Sequence, residues 1–161
     1  MKITKDVVLD AVGSLMRQRF GVTGERDKKF DLVVAELYLP TPLNCIVQFD
    51  DATHCTRERA VTFGEYPPDA PLNFDVRRYL ADQAHGDPSI ARADMHVDLL
   101  PPKHGLNPTV RIRADELAEL SGSLEQRVET LLSRRFAFHA GTVFQNMLEN
   151  AGAKPHRTHG D

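Results

Sequence analysis

From Thr4 to Phe20 apolar residues return at helical spacing: Val7, Val8, Ala11, Val12, Leu15 and Met16, with Gly21 just beyond. This pattern predicts a helix over residues 4–20 closed by a glycine. "TGERDKK" has no apolar period and predicts a polar turn. "KFDLVVAELYL" is rich in Val and Leu and predicts a strand, which "PTP" must end because proline cannot donate to a ladder. "NCIVQF" predicts a second strand, and the short gap makes the two an antiparallel hairpin.

Further on, "TRERAVTFGEY" predicts a short helix or turn leading into "PPDAP". "NFDVRRYLADQAH" predicts a helix with Phe74, Val76, Tyr79 and Leu80 near one face, and "GDPS" a turn. "ADMHVDLLPP" predicts a strand broken by Pro101 and Pro102. In "TVRIRA", Val110 and Ile112 alternate with Arg111 and Arg113, the mark of a strand. "DELAEL" starts a helix, and Ser123 with Gln126 forms a capping box for the last one, which Gly141 kinks or splits. "AGAKPHRTHGD" predicts a frayed tail. The order of elements predicts an α/β fold on one mixed sheet, with residues 1–150 as a single domain and 151–161 as a tail.

Composition narrows this little. A chain of 161 residues, 41% hydrophobic and 27% charged, suits one soluble globular domain. Such a domain buries a core without disulfide or metal staples. Cys45 and Cys55 are the two cysteines; Cys45 sits in an apolar run as a small hydrophobe, and a reducing compartment is expected. No run reaches bilayer length and "MKITKDVVLDAV" lacks the apolar core of a leader, so a cytoplasmic protein is expected. The formal net charge of −3 argues against broad nonspecific nucleic-acid binding but allows a local basic face.

Chemistry concentrates in "FDLVVAELYLPTPLNCIVQFDDATHCT", residues 30–56. A charge beside a buried apolar run is costly unless compensated. A divalent cation is one compensator, and Mg²⁺ takes one or two carboxylates with waters and phosphate. Asp31 opens the first run and Asp50 closes the second, at ends that a hairpin brings together. Gln48 and Asp50 share a strand face, and His54 follows in the next turn, placed for proton transfer or phosphate contact. Together they suggest metal-assisted phosphodiester hydrolysis. From spacing alone a plainer interpretation is favoured: Asp50 and Asp51 as turn residues or a helix N-cap, and His54 as a surface or hydrogen-bonded histidine.

These residues also carry a resemblance. "FDLVV…NCIVQFDDATH" resembles the core of the PD-(D/E)XK nuclease superfamily, nearest the branch of the very-short-patch-repair endonucleases and their small relatives. In that branch an Asp opens one strand and a second strand ends Glu-x-Asp-Gly-x-x-His. Asp31 matches the first Asp, and Gln48, Asp50 and His54 match the Glu, Asp and His. "FDVRRYL", with Asp75 and Arg78, and "TVRIRADELAEL", with Arg111 and Arg113, resemble later parts of the branch in the same order. In outline the likeness runs from Asp31 to Leu131. It implies a restriction-endonuclease-like fold: a central mixed sheet flanked by helices. It also implies a DNA endonuclease or nickase dependent on Mg²⁺ or Mn²⁺. Asp31 and Asp50 would hold the metal, Gln48 would be a weak or outer ligand, and His54 would serve in proton transfer or phosphate contact.

The departures are specific. Gln48 stands for Glu and brings no charge; Asp51 stands for Gly; no lysine occupies the strand position ExK nucleases use; and Gln83 to Gly105 is an insertion relative to small relatives. They bear on activity more than on fold. The alternative is therefore a catalytically silent nuclease-fold protein that binds nucleic acid or a protein partner in a defence or repair system.

Arg57, Arg59, Arg77 and Arg78 follow the acidic segment, and Arg111 and Arg113 share a strand face; all six are candidates for phosphate contact on DNA. For each, a solvated face with ordinary ion pairs is as good a reading. His54 and Cys55 with Cys45 match no standard zinc spacing, and His85, His96 and His104 form no persuasive set. The stripe Leu131, Leu132, Phe136, Phe138, Val143, Phe144, Met147 and Leu148 is core material, with room for a homodimer or partner contact through the C-terminal helix.

Overall fold

The structure is a computed structural model and describes residues 2–138. In chain order it contains α1 (Lys5–Phe20), β1 (Glu25–Lys29), β2 (Val34–Leu39), β3 (Cys45–Asp50), α2 (Arg57–Thr62), α3 (Val76–Leu80), α4 (Pro88–Lys103), β4 (Val110–Arg113), α5 (Ala114–Ala118) and α6 (Leu124–Phe138). The strands form one sheet in the order β1-β2-β3-β4. β2 runs antiparallel to β1 and β3, and β3 runs parallel to β4. The expected α/β class and mixed sheet are therefore present. The expected kink at Gly141 and the tail lie outside the described residues, as do positions 143 to 148 of the apolar stripe.

Alternation along the strands makes two unlike faces. Leu37, Leu39, Val47, Phe49, Val110 and Ile112 point one way and are buried with Val8, Leu9, Val12 and Met16 of α1 and Val128, Leu131 and Leu132 of α6. This is the main apolar core, and it explains two of the three long helices, α1 and α6. α1 ends where Gly21 adopts φ 69° and its N–H caps the carbonyl of Arg17. α6 starts at the expected capping box: Ser123 Oγ accepts from Gln126 N at 3.1 Å and Gln126 Oε1 from Ser123 N at 2.8 Å.

The other face carries Gln48, Asp50, Arg111 and Arg113, with α2, α3 and α4 over it. A smaller apolar patch, Ala35, Ile46 and Val97 with Phe30, Val33, Tyr38 and Leu106, seals one end of it.

Three expectations need correction. Residues 25–29 of "TGERDKK" form edge strand β1 rather than a turn. Its lack of apolar residues is typical of an exposed edge, where charge blocks pairing with other chains. The helix foreseen over residues 73–85 is five residues long. Finally, "ADMHVDLLPP" belongs to helix α4, not to a strand. Ala91, Asp94, Met95, Val97, Asp98 and Pro101 are its buried residues, at helical spacing. The apolar period is obscured because two inward positions are aspartates facing a charged sheet. Pro88 sits in its first turn behind the Asp87 cap. Pro101 cannot donate to the carbonyl of Val97, and Thr109 Oγ1 donates to it instead at 2.8 Å.

Candidate metal centre

Asp50 ends β3 at 1% exposure, under the second layer of helices. Its Oδ2 accepts from Tyr79 of α3 at 2.6 Å and its Oδ1 from Arg111 Nη1 of β4 at 2.8 Å. Arg111 is 0% exposed and its guanidinium reaches further. Its Nε donates to Asp98 Oδ1 at 2.7 Å and its Nη2 to the backbone carbonyl of Asp94 at 3.1 Å, with Asp94 Oδ1 at 3.4 Å. Arg59 of α2 completes the network: Nη2 donates to Asp98 Oδ2 and Nη1 to the Tyr66 hydroxyl, each at 2.6 Å. Its guanidinium lies 4.5 Å from the Phe63 ring centre, a cation–π contact. Its Nε has no hydrogen-bond partner among the described residues and stands 3.9 Å from Asp94 Oδ2.

His54 lies on the solvent side of this network. It sits in the turn after β3, where Asp51 accepts from Thr53 N at 2.9 Å as an N-cap. The N-cap reading thus holds for Asp51, while Asp50 is buried chemistry. His54 Nδ1–H donates to Asp94 Oδ2 at 2.7 Å. Asp50, His54 and Asp94 each offer a ligand atom, and these atoms lie within 4.8 Å of one another.

The environment sets the protonation states. The hydrogen bond to Asp94 holds the His54 imidazole above its ordinary pKa, against burial. Burial pushes Asp50 up, and the Arg111 guanidinium only partly restores it. Burial acts on Asp94 too, but Arg111 and His54 outweigh it and keep that carboxyl below the usual range. Asp50 is the reluctant anion of the pair and Asp94 the settled one.

Gln48 does something the sequence did not suggest. β2 and β3 pair from Leu37 to Leu39, and the register lapses at Glu36. There, side chains replace the ladder: Gln48 Oε1 accepts from Glu36 N at 2.7 Å, and Glu36 Oε1 from Phe49 N at 2.6 Å. On β1, Asp27 lies opposite Glu36 with φ 54° and is unpaired, while the register is the same on either side of it. Burial raises the Glu36 pKa, and Asp50 adds to the rise.

No protein-family model, curated protein or solved structure matches the chain.

Of the residues singled out from sequence, the fold gathers Asp50 and His54 and leaves Asp31 outside their cluster. Asp31 is exposed on the β1–β2 loop, in a cleft with Lys28, Phe30 and His104. Gln48 is engaged with backbone. Arg59, Arg111 and Arg113 are buried; Arg113 pairs with Asp82 and Asp115. Arg78 is held by Glu119, while Arg57 and Arg77 are exposed. Burial and pairing keep Arg59, Arg111 and Arg113 from presenting a phosphate fork to solvent. Cys45 is a free thiol in the apolar core, pushed up to about 12 by burial. Sequence reasoning missed Asp94, Asp98, Tyr79 and Glu36. The one signal for Asp94 and Asp98 was their spacing of four, which matters only once α4 is known to be a helix.

Proposed function

We propose that this protein binds a divalent cation through Asp50, His54 and Asp94 and hydrolyses phosphodiester bonds of DNA at that centre. The observation that carries the reading is the meeting of two carboxylates and one imidazole within 4.8 Å of one another. The donor set fits Mg²⁺ or Mn²⁺, and the imidazole favours Mn²⁺. A bound cation would supply Lewis-acid activation of phosphate and water. The chain's own groups supply the rest. Arg111 and Tyr79 hold the Asp50 carboxylate in place. His54, part-exposed and beside Asp94, would meet the cation through a ring nitrogen in its neutral form. Arg57 and Arg77 are exposed and would meet backbone phosphate at the surface, Arg77 from its pair with Asp75. A mixed sheet between helices is the kind of scaffold the PD-(D/E)XK resemblance implies, and it supports this reading. Relative to that resemblance, Asp94 replaces Asp31 as the second carboxylate.

A second reading, the catalytically silent scaffold, is favoured by Arg111: its guanidinium already meets Asp50, Asp94 and Asp98 without a cation. Calorimetric titration with Mn²⁺ and a plasmid-nicking assay separate the two. Expected are Mn²⁺ binding and chelator-sensitive nicking, both lost in Asp50→Asn and Asp94→Asn. Binding without nicking selects the silent scaffold. No binding, or nicking that survives both substitutions, removes the centre from consideration.

A further inference from the structure

Along α3 lies a second cleft of about 790 Å³. Ligand sites fall at about 300–1,000 Å³, mostly apolar with a few converging polar groups. This cleft has that make-up. Ala70, Pro71, Leu72, Phe74 and Val76 form an apolar wall; Arg77 pairs with Asp75, Arg78 and Arg135 with Glu116, and Arg134 also lines the cleft. None of the three residues of the metal centre lines it.

The guanidiniums are of two kinds. Arg78 is fixed by two bonds to Glu119, at 2.9 and 2.7 Å. Arg135 is fixed by Glu116 at 2.5 Å and by the carbonyl of Arg111 at 3.0 Å. The Arg77 side chain is 91% exposed and pairs with Asp75 at 3.3 Å. Arg134 is exposed on the opposite wall. Two anchored arginines line the cleft, and two exposed ones stand where they can close on an anion. A planar fork matches phosphate oxygens and stacks on flat rings, and the apolar wall suits a ring face.

The geometry points to a nucleotide site in this cleft, with the base against Pro71, Leu72 and Val76 and the phosphate between Arg77 and Arg134. The ligand is either a free nucleotide or one unit of a strand. In both cases the recognised chemistry is a flat base joined to a phosphate.

Calorimetry on the full chain tests this with four probes: AMP, adenosine, inorganic phosphate and a short single-stranded oligonucleotide. AMP is expected to bind at least about tenfold tighter than adenosine or phosphate, since it engages both halves of the site. Arg77→Ala and Arg134→Ala each weaken AMP about tenfold, and Leu72→Trp blocks the cleft. Asp50→Asn leaves AMP affinity unchanged, which separates this site from the metal centre whether or not the latter binds Mn²⁺. An oligonucleotide that binds tighter than AMP and is lost with the same variants assigns the cleft to a strand; otherwise it takes the free nucleotide. AMP that binds no better than phosphate, that ignores Leu72→Trp and Arg134→Ala, that is lost with Asp50→Asn, or that does not bind at all overturns the assignment.

Discussion

Replacing Arg111 by Met removes the one cation that touches all three buried aspartates while keeping the volume of its stem. The guanidinium is 0% exposed and makes close contacts to Asp50 and Asp98 at 2.8 and 2.7 Å and a looser one to Asp94 at 3.4 Å. Two close charge-assisted bonds are each worth about 1.5–3 kcal/mol. Breaking a buried pair by removing one partner costs about 3–5 kcal/mol, because the stranded charges stay buried. Arg59 still meets Asp98, so the net loss should fall near about 4 kcal/mol, a large part of the roughly 5–15 kcal/mol of a typical domain. The stranded carboxyls would take up protons in the folded state, and a native state that binds more protons than the unfolded one loses stability as pH rises. The deficit should therefore be larger at pH 7 than at pH 5. Urea unfolding of the wild type and Arg111→Met at both pH values measures it. A loss under about 1 kcal/mol, or one independent of pH, would refute a charge-balanced network built around Arg111.

His54 gives a second pH signature. Its folded pKa is raised above the ordinary 6.5 by Asp94, so its contribution to stability is complete below that value and disappears as pH rises through the folded pKa. Proton NMR should show the His54 ring titrating above free imidazole, and His54→Gln should flatten the unfolding free energy over that window. At the start of α6, Ser123→Ala should cost about 1 kcal/mol in urea unfolding by removing the cap, with no change in Mn²⁺ affinity.

How far the sequence could be read depended on which face of the sheet a segment meets. Elements packed on the apolar face were legible: α1, β3, β4 and the start of α6 follow apolar periods, caps and turn residues. Elements on the polar face were not. α4 hides its period because Asp94 and Asp98 occupy inward positions that the apolar rule reserves for Leu or Val. β1 has no apolar residue to count. The candidate site was legible by half for the same reason. Asp50 and His54 stood out as polar groups against an apolar strand. Asp94, Asp98 and Tyr79 became visible only when β4 carried Arg111 beneath α4, a pairing 13 residues apart for Asp98 and 61 for Asp50.

The network also has a charge count that joins its two readings. Three buried carboxylates, Asp50, Asp94 and Asp98, face two buried guanidiniums, Arg59 and Arg111. One negative charge is left over, and an uncompensated charge inside a protein is costly. A proton on His54 would supply the missing positive charge, and the Asp94 hydrogen bond that holds that imidazole above its ordinary pKa favours it. A divalent cation at the same donors would bring two positive charges where one is missing, and ligation requires the neutral ring, so cation and proton would compete for the same donors. A buried ion network adds little stability over a well-packed apolar cluster. A face built wholly of Val and Leu would have served the fold as well. What the charged face adds is an excess of one carboxylate next to a part-exposed imidazole, the imbalance that the proposed exchange of a proton for a cation would act on.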